Sequence, residues 1–181
     1  MRGRSVFAQR GFGAGSFVIE FGGDRFSRDE YISRVDPGNN HFLQIGRNLF
    51  LGPTETADNF INHSCDPNCG LRVEAGRAYL FAIRPIAAGD EITFDYSTSM
   101  DEDFWEMRCQ CGSTVCRGRI RDFRHLPAEV RDRYLSMGAV PEFVLSALAD
   151  KPAVTGMIVE TRAGAGFSPA AGGARAALQA P

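Results

Sequence analysis

Three cysteines lie close together as Cys109-x-Cys111-x4-Cys116, and two more, Cys65 and Cys69, lie further upstream. The amino terminus lacks the apolar stretch that a secretory signal needs, so we expect an intracellular, reducing environment. In such an environment, clustered thiols indicate a bound metal ion before they indicate disulfide bonds. Metal binding is therefore the first chemistry that the sequence suggests.

A dense polar run follows two apolar residues in N-F-I-N-H-S-C-D-P-N, residues 59–68. Its Asn and His side chains offer hydrogen-bond donors and acceptors, and Asp66-Pro67-Asn68 predicts a rigid turn. Either this segment binds a ligand, or it is a polar turn with a hydrogen-bonded histidine. Its composition leaves both interpretations open.

The segment G-D-E-I-T-F-D-Y, residues 89–96, is a turn that leads into a strand. Alternation at period two places Ile92, Phe94 and Tyr96 on one face. Taken alone, the pattern indicates a half-buried strand with these three side chains pointing inward.

Length and charge limit the classes of protein that this chain can join. Its 181 residues suffice for one domain with a proper core and hardly for two. The net charge of −2 argues against a nucleic-acid binder that relies on bulk positive charge. Since no stretch approaches the length of a membrane span, we expect a soluble protein that does not bind membranes.

The elements that must position these residues are mostly short strands. We predict strands at residues 5–9, 17–21 and 91–96, and hairpins over 42–51 and 71–84. The capping-box pattern Ser27-x-x-Glu30 predicts a short helix over about residues 28–34. After residue 126 the pattern becomes helical, and prolines at 127 and 141 each begin a predicted helix, over 127–137 and 141–148.

Taken together, the motifs N-H-S-C-x-P-N at residues 62–68, G-D-E-I-T-F-D-Y at 89–96 and C-x-C-G-x3-C-R-G at 109–118 resemble those of SET-domain protein-lysine methyltransferases with a zinc-binding post-SET motif. The resemblance extends from about Gly3 to Ile120. It implies a mostly β fold with short helices, built from small curved sheets with a knot-like threading. The implied units are a SET domain at 1–106, a post-SET zinc-binding segment at 107–124, a helical extension at 125–162 and a disordered tail at 163–181.

The resemblance also implies an activity: transfer of a methyl group from S-adenosylmethionine to a lysine amine in a protein, such as a histone, a ribosomal protein or another basic protein. The catalytic tyrosine corresponds to Tyr96. Free lysine titrates near pH ~10.4 and is mostly a non-nucleophilic ammonium at neutral pH. An apolar channel beside a sulfonium lowers that pKa, and the tyrosine hydroxyl would orient the amine.

By the same resemblance, Gly3, Arg4, Asn62, His63 and Tyr96 contact the cofactor. The family's first motif is usually G-x-G, and here it is Gly3-Arg4-Ser5. The arginine that often precedes F-I-N-H-S-C in the family is replaced by Asn59.

The implied substrate channel is lined by Phe94, Phe21 and Phe123. Phe94 corresponds to the position that limits how many methyl groups are added, and a phenylalanine there leaves space for a di- or trimethylated product. Plain core packing is an equal alternative for Phe94. Phe123 either closes an apolar lid over the channel or belongs to an ordinary core.

A structural zinc ion is implied as well, since the post-SET motif places Cys65 beside Cys109, Cys111 and Cys116. Tetrahedral zinc takes four ligands, and a site filled by four thiolates has no open catalytic position. Cys69 is then left over, and we expect it to be a small buried hydrophobe.

Two further interpretations compete with the enzyme. The altered first motif suggests a catalytically degenerate SET fold that binds a peptide or protein. A zinc-ribbon nucleic-acid binder would need paired Cys-x-x-Cys knuckles and a basic chain, which this sequence lacks. An intracellular location follows in either remaining case: the cytoplasm for a bacterial protein, or the nucleus for a eukaryotic one.

Overall fold

Short strands make up most of the regular structure. The computed structural model describes residues 4–36, 38 and 40–150, and the predicted tail lies outside this range. The strands are β1 (Phe17–Phe21), β2 (Arg25–Ser27), β3 (Leu43–Gly46), β4 (Leu49–Leu51), β5 (Asn62–His63), β6 (Cys69–Glu74), β7 (Arg77–Ala82), β8 (Thr93–Phe94), β9 (Met107–Arg108) and β10 (Arg119–Ile120). The α-helices are α1 (Arg28–Arg34), α2 (Ala128–Ser136) and α3 (Glu142–Asp150), and 3₁₀ turns span Ala57–Phe60, Tyr96–Ser99 and Phe123–His125.

The strands form four small sheets. Two are three-stranded and antiparallel, in the orders β1-β7-β6 and β2-β4-β3. Strands β9 and β10 form an antiparallel pair, and β5 pairs with β8 in parallel. Parallel strands need a long connection, and the β6–β7 hairpin lies within it. The predicted mostly β architecture of small sheets is thereby confirmed.

Helix α1 begins where the sequence predicts. The Ser27 side chain accepts a hydrogen bond from the backbone N–H of Glu30, and the Glu30 carboxylate accepts one from the backbone N–H of Ser27. This reciprocal pair satisfies two of the backbone donors that a helix start leaves free. The helix buries one aromatic face, on which the Tyr31 ring stacks against Phe50 with centroids 4.2 Å apart.

Two of the predicted strands are shorter than expected. Within the predicted strand at 91–96, only β8 is a regular strand, and it ends there because the Asp95 side chain accepts from the Ser97 N–H and starts the 3₁₀ turn at Tyr96. The segment at 5–9 makes an isolated bridge between Phe7 and Glu91 instead of a regular strand. At the end of the predicted strand 91–96, capping by the Asp95 side chain has thus replaced part of the backbone hydrogen bonding of a sheet.

Helices α2 and α3 pack against the sheet that contains β6 and β7. A Cβ atom added at Gly70 would lie 2.7 Å from the Ala139 Cβ and 2.9 Å from the Phe81 ring. Glycine at this position therefore lets the turn between the two helices approach the sheet backbone closely. No described helix is long and apolar enough to cross a bilayer.

Candidate active site and thiol cluster

The parallel pairing of β5 with β8 brings the first two motifs into contact. Asn62 lies opposite Thr93, and His63 lies opposite Phe94. The Asn68 side chain holds the pairing in place: it donates to the Glu91 carbonyl at 2.8 Å and accepts from the Thr93 N–H at 3.0 Å. Two segments about thirty residues apart in the chain thus form one surface.

The Asn62 amide ties this surface to the amino-terminal segment. Its nitrogen lies within hydrogen-bond distance of the Arg4 carbonyl at 3.2 Å, the Ser5 hydroxyl at 2.8 Å and a Glu91 carboxylate oxygen at 2.8 Å. The exposed Arg4 guanidinium lies 3.6 Å from the centroid of the Phe60 ring. Arg4 and Asn62 therefore lie together, while Gly3 is outside the described residues.

Tyr96 lines a cavity together with Phe21 and Phe94. Its hydroxyl donates to the Ile61 carbonyl at 2.7 Å, and burial raises the pKa of Tyr96 well above its usual value. The Phe94 ring lies 5.0 Å from Tyr96 and 5.7 Å from Phe21, centroid to centroid. All three rings line an open cavity of about 710 Å³, and the tyrosine stays protonated at neutral pH.

Phe123 does not join these rings. It is fully buried in a separate cluster with Phe81, Tyr134 and Val144, where α2 and α3 cover the sheet, and it does not line the cavity. Of the two roles considered for Phe123, this placement corresponds to the ordinary core residue. The 3₁₀ turn Phe123–His125 directs the ring toward the helices because the chain is already turning into α2 there.

His63 points into the protein interior. Its Nδ1 accepts a hydrogen bond from the Tyr96 backbone N–H at 3.2 Å, and its Nε2 lies 3.3 Å from the Cys65 sulfur. Because Nδ1 is an acceptor, the ring proton is on Nε2 and is donated to the sulfur. Burial lowers the pKa of His63 to about 4, although Asp95 opposes the shift, so the imidazole is neutral.

The thiols predicted to bind metal gather around Cys65. The sulfurs of Cys65 and Cys109 are 3.7 Å apart, and one ligand atom each from His63, Cys65, Cys109 and Cys111 lie within 4.8 Å of one another. The Cys116 thiol is outside that group, but it lies near enough to Cys109 and Cys111 to affect the pKa values of their thiols. This cluster could hold a metal ion.

Backbone N–H groups point at three of these sulfurs. The Arg117 N–H lies 3.4 Å from the Cys65 sulfur, the Gly118 N–H lies 3.4 Å from Cys116, and the Cys111 N–H lies 3.5 Å from Cys109. Such donors stabilise thiolate charge. Cys69, by contrast, is buried in β6 within the main core, as predicted, and is not part of the cluster.

A buried carboxylate connects the cluster to the tyrosine. Asp95, whose side chain is fully buried, pairs with the Arg117 guanidinium at 2.7 Å and accepts from the Tyr134 hydroxyl at 2.9 Å. Within the described residues, the Nε and Nη1 atoms of Arg117 are buried without a hydrogen-bond partner. Their positive charge lies beside Cys65. An anionic thiolate site therefore fits this environment.

The contacts of Asp95 with Arg117 and Tyr134 were not predicted from the sequence. Asp95 and Arg117 are part of the motifs F-D-Y and C-R-G, so the sequence did mark both positions. His63 was assigned to the cofactor rather than to the cysteines. Its spacing of two residues from Cys65, which in an extended chain puts side chains on the same face, could have revealed that contact.

A known family matches the part of the chain that contains Asn62, His63 and Tyr96. The family model described as "SET domain" matches residues 3–97. Histone-lysine N-methyltransferase trithorax of Drosophila virilis is 33% identical over 65% of this chain, and the H3 lysine-4 specific enzyme of Saccharomyces cerevisiae is 29% identical over 62%. The aligned regions are 3% and 12% of those relatives, so this chain matches a small part of each.

Among solved structures, KRYPTONITE in complex with mCHH DNA, an H3(1-15) peptide and SAH superposes with a TM-score of 0.51 and 26% identity. The match covers 64% of this chain and 27% of the other.

Proposed function

This chain belongs to the SET-domain family, and from that premise we propose that it transfers a methyl group from S-adenosylmethionine to the side-chain amine of a lysine in a protein substrate. The observation that carries the proposal is the β5–β8 pairing, which places the Asn62–His63 segment against Phe94 and Tyr96. The relatives named as histone-lysine methyltransferases support a histone-like or other basic protein as the substrate.

Tyr96 is suited to orient an amine. Because its proton is donated to the Ile61 carbonyl, its oxygen remains an acceptor toward the cavity. That oxygen can accept an N–H of the incoming lysine or a weak C–H···O contact from the methyl group. The aromatic walls from Phe21 and Phe94 exclude water, which disfavours the ammonium form of the lysine and favours the nucleophilic amine.

S-adenosylmethionine, when bound, supplies an electrophilic methyl group on a sulfonium. Arg4 and Asn62 fit the task of holding it, since an exposed guanidinium can pair with a carboxylate and lies beside an amide fixed by three contacts. Gly3 and the backbone of His63 are part of the same proposal. The His63 side chain instead positions the Tyr96 backbone and Cys65.

We also propose a structural zinc ion held by Cys65, Cys109, Cys111 and Cys116. The Nε2 hydrogen of His63 then acts as a donor to the Cys65 thiolate, a common role for a group next to a metal site. The unpaired buried nitrogens of Arg117 balance the net negative charge of four thiolates around one divalent ion. An intracellular location, which keeps these thiols reduced, belongs to the proposal too.

The test is transfer of labelled methyl from S-adenosylmethionine to a panel of histones and other basic proteins. We expect label on lysine, and at least a ~100-fold loss of rate in Tyr96→Phe, because one oriented polar contact at the reacting centre is removed. Tyr79→Phe is the matched control, since Tyr79 lies on β7 outside the cavity. Unimpaired transfer by Tyr96→Phe would contradict the assigned role, and failure to bind S-adenosylmethionine would favour the degenerate binding module.

A further inference from the structure

A carboxylate lies against the Asn62 amide and has no role in the chemistry above. It belongs to Glu91, two residues before β8. The Asn62 Nδ2 nitrogen lies 2.8 Å from a Glu91 carboxylate oxygen, 2.8 Å from the Ser5 hydroxyl and 3.2 Å from the Arg4 carbonyl. Because Asn62 is a proposed cofactor contact, whatever fixes its amide also fixes what the amide offers to a ligand.

Two of these three neighbours decide which way round the Asn62 amide lies. A carboxylate and a backbone carbonyl only accept hydrogen bonds, so Glu91 and Arg4 both require the NH2 side of the amide. A flipped amide would place its oxygen against two acceptors. Both N–H groups are therefore used within the protein, and Oδ1 is the atom that remains for a ligand.

Glu91 makes the stronger of these two contacts. Its distance of 2.8 Å is shorter than the 3.2 Å to the Arg4 carbonyl, and a hydrogen bond to an ionised carboxylate is stronger than one to a neutral acceptor. An amide that donates to a charged group is also polarised, which makes its own oxygen a better acceptor. Glu91 thus both orients Asn62 and strengthens its Oδ1.

The backbone of Glu91 is itself held from two sides. Its carbonyl accepts a hydrogen bond from the Asn68 side chain at 2.8 Å, and Glu91 forms an isolated β-bridge with Phe7. The same bridge brings the segment that contains Arg4 and Ser5 close to Glu91. The carboxylate is therefore in place before any ligand binds, which lowers the entropic cost of binding.

The Asn62 oxygen is accessible to a ligand. It accepts no hydrogen bond from the described residues, and it is not among their buried atoms without a partner. The methionine part of S-adenosylmethionine carries an ammonium and a carboxylate. An amide oxygen is complementary to the ammonium, as the exposed Arg4 guanidinium is to the carboxylate.

We propose that Glu91 is a positioning residue for the cofactor: its carboxylate holds the Asn62 amide so that Oδ1 accepts a hydrogen bond from the ammonium of S-adenosylmethionine. The inference rests on the proposed function, which places the cofactor beside Asn62. Glu91 does not touch the cofactor and acts only through the amide.

The test is equilibrium binding of S-adenosylhomocysteine and of its analogue without the α-amino group, measured by calorimetry. Neither ligand requires a protein substrate or methyl transfer. Glu91→Leu removes the acceptor at similar size, whereas Glu91→Gln is the conservative change, because its side-chain oxygen can still accept from Asn62. Glu74→Leu, at the exposed end of β6, is the matched control.

We expect the wild type and Glu74→Leu to bind S-adenosylhomocysteine about tenfold or more tightly than the analogue, the size expected for a charge-assisted hydrogen bond. Glu91→Leu should lower this ratio by about threefold or more, because the amide has lost its strongest orienting contact. Its affinity for the analogue should change little. Glu91→Gln should retain most of the preference.

A ratio near one in the wild type would overturn the role of Glu91, whether or not a variant folds. Three other results would also overturn it: an unchanged ratio in Glu91→Leu, an equal loss of affinity for both ligands, or a loss in Glu91→Gln as large as in Glu91→Leu. If S-adenosylhomocysteine does not bind at all, the proposed function fails together with this role. If the expected ratios appear but no protein is methylated, the proposed function fails alone.

Discussion

At the scale of single residues, Glu102 has its carboxyl group where ionisation is unfavourable. Burial raises its pKa to about 7 from 4.5, and Asp122 adds to the rise, while the hydrogen bond from Tyr31 and the charge of Arg28 oppose it. An acid whose folded-state pKa is higher than its unfolded one binds more protons when folded. Its contribution to stability is present below pH 4.5 and is lost as the pH rises through 7.

Glu102→Gln should therefore stabilise the protein more at pH 8 than at pH 5. The expected difference is at most about 3 kcal/mol in the free energy of unfolding, because each pKa unit is worth ~1.4 kcal/mol. Urea unfolding of both proteins at the two pH values measures it. Glu106→Gln, which removes an exposed carboxylate, should show little pH-dependent gain, and an equal effect of Glu102→Gln at both pH values would contradict the prediction.

At the scale of elements, the post-SET segment has little regular structure to hold it. Strands β9 and β10 contribute two residue pairs, and the loop between them contains three of the clustered cysteines. So short a hairpin has only marginal stability by itself. The proposed zinc ion would therefore be the main source of stability for this segment. Small metal-bound segments of this kind gain folding free energy from the metal.

Zinc content distinguishes two candidate ligand sets. One is the four cysteines, and the other is His63 with Cys65, Cys109 and Cys111. Cys116→Ser should lose most of its zinc to a weak chelator, because one thiolate ligand is removed. His63→Gln should retain zinc, since it removes only a hydrogen bond to Cys65, and Cys69→Ala should match the wild type. Zinc is measured by elemental analysis after dialysis. If His63→Gln loses zinc while Cys116→Ser keeps it, the ligand set is three thiols and the imidazole.

The elements that the sequence predicts well are those specified locally. The capping box at Ser27 and Glu30 and the hairpin of β6 and β7 depend on residues a few positions apart, and both form as predicted. Strand β8 is shorter than predicted because the Asp95 side chain caps the following 3₁₀ turn. Hydrophobic periodicity carries no information about such side-chain hydrogen bonds to the backbone. The burial of Glu102 could not be predicted, because it depends on the packing of α1. Arg28 in that helix lies 74 residues upstream and donates to the Glu102 backbone carbonyl.

At the scale of the whole molecule, Asp95 joins three parts of the chain. It follows β8, pairs with Arg117 from the post-SET segment, and accepts from Tyr134 of α2. Each partner approaches the same buried carboxylate from a different unit. Removing one partner of a buried charge pair is far more costly than the pair is stabilising, because the other charge is left without compensation.

We therefore expect the described units to unfold together, with Asp95 as a shared support. Asp95→Asn should lower the free energy of unfolding by about 3–5 kcal/mol, since it breaks the buried ion pair with Arg117. Tyr134→Phe should lower it by about 1–3 kcal/mol, since one buried acceptor loses a donor. Tyr79→Phe, outside this network, is the control for removing a tyrosine hydroxyl.

Two optical probes show whether the units are coupled. Trp105 is the chain's one tryptophan and packs beside Cys65 and Cys109, so its fluorescence follows the thiol cluster, while far-ultraviolet circular dichroism follows α2 and α3. In the zinc-loaded wild type the two denaturation curves should coincide, as two-state unfolding requires. In Asp95→Asn both should move together to lower denaturant. A helical signal that disappears before the fluorescence changes would mean that α2 and α3 form a separate unit, and that Tyr134 does not couple them to the site.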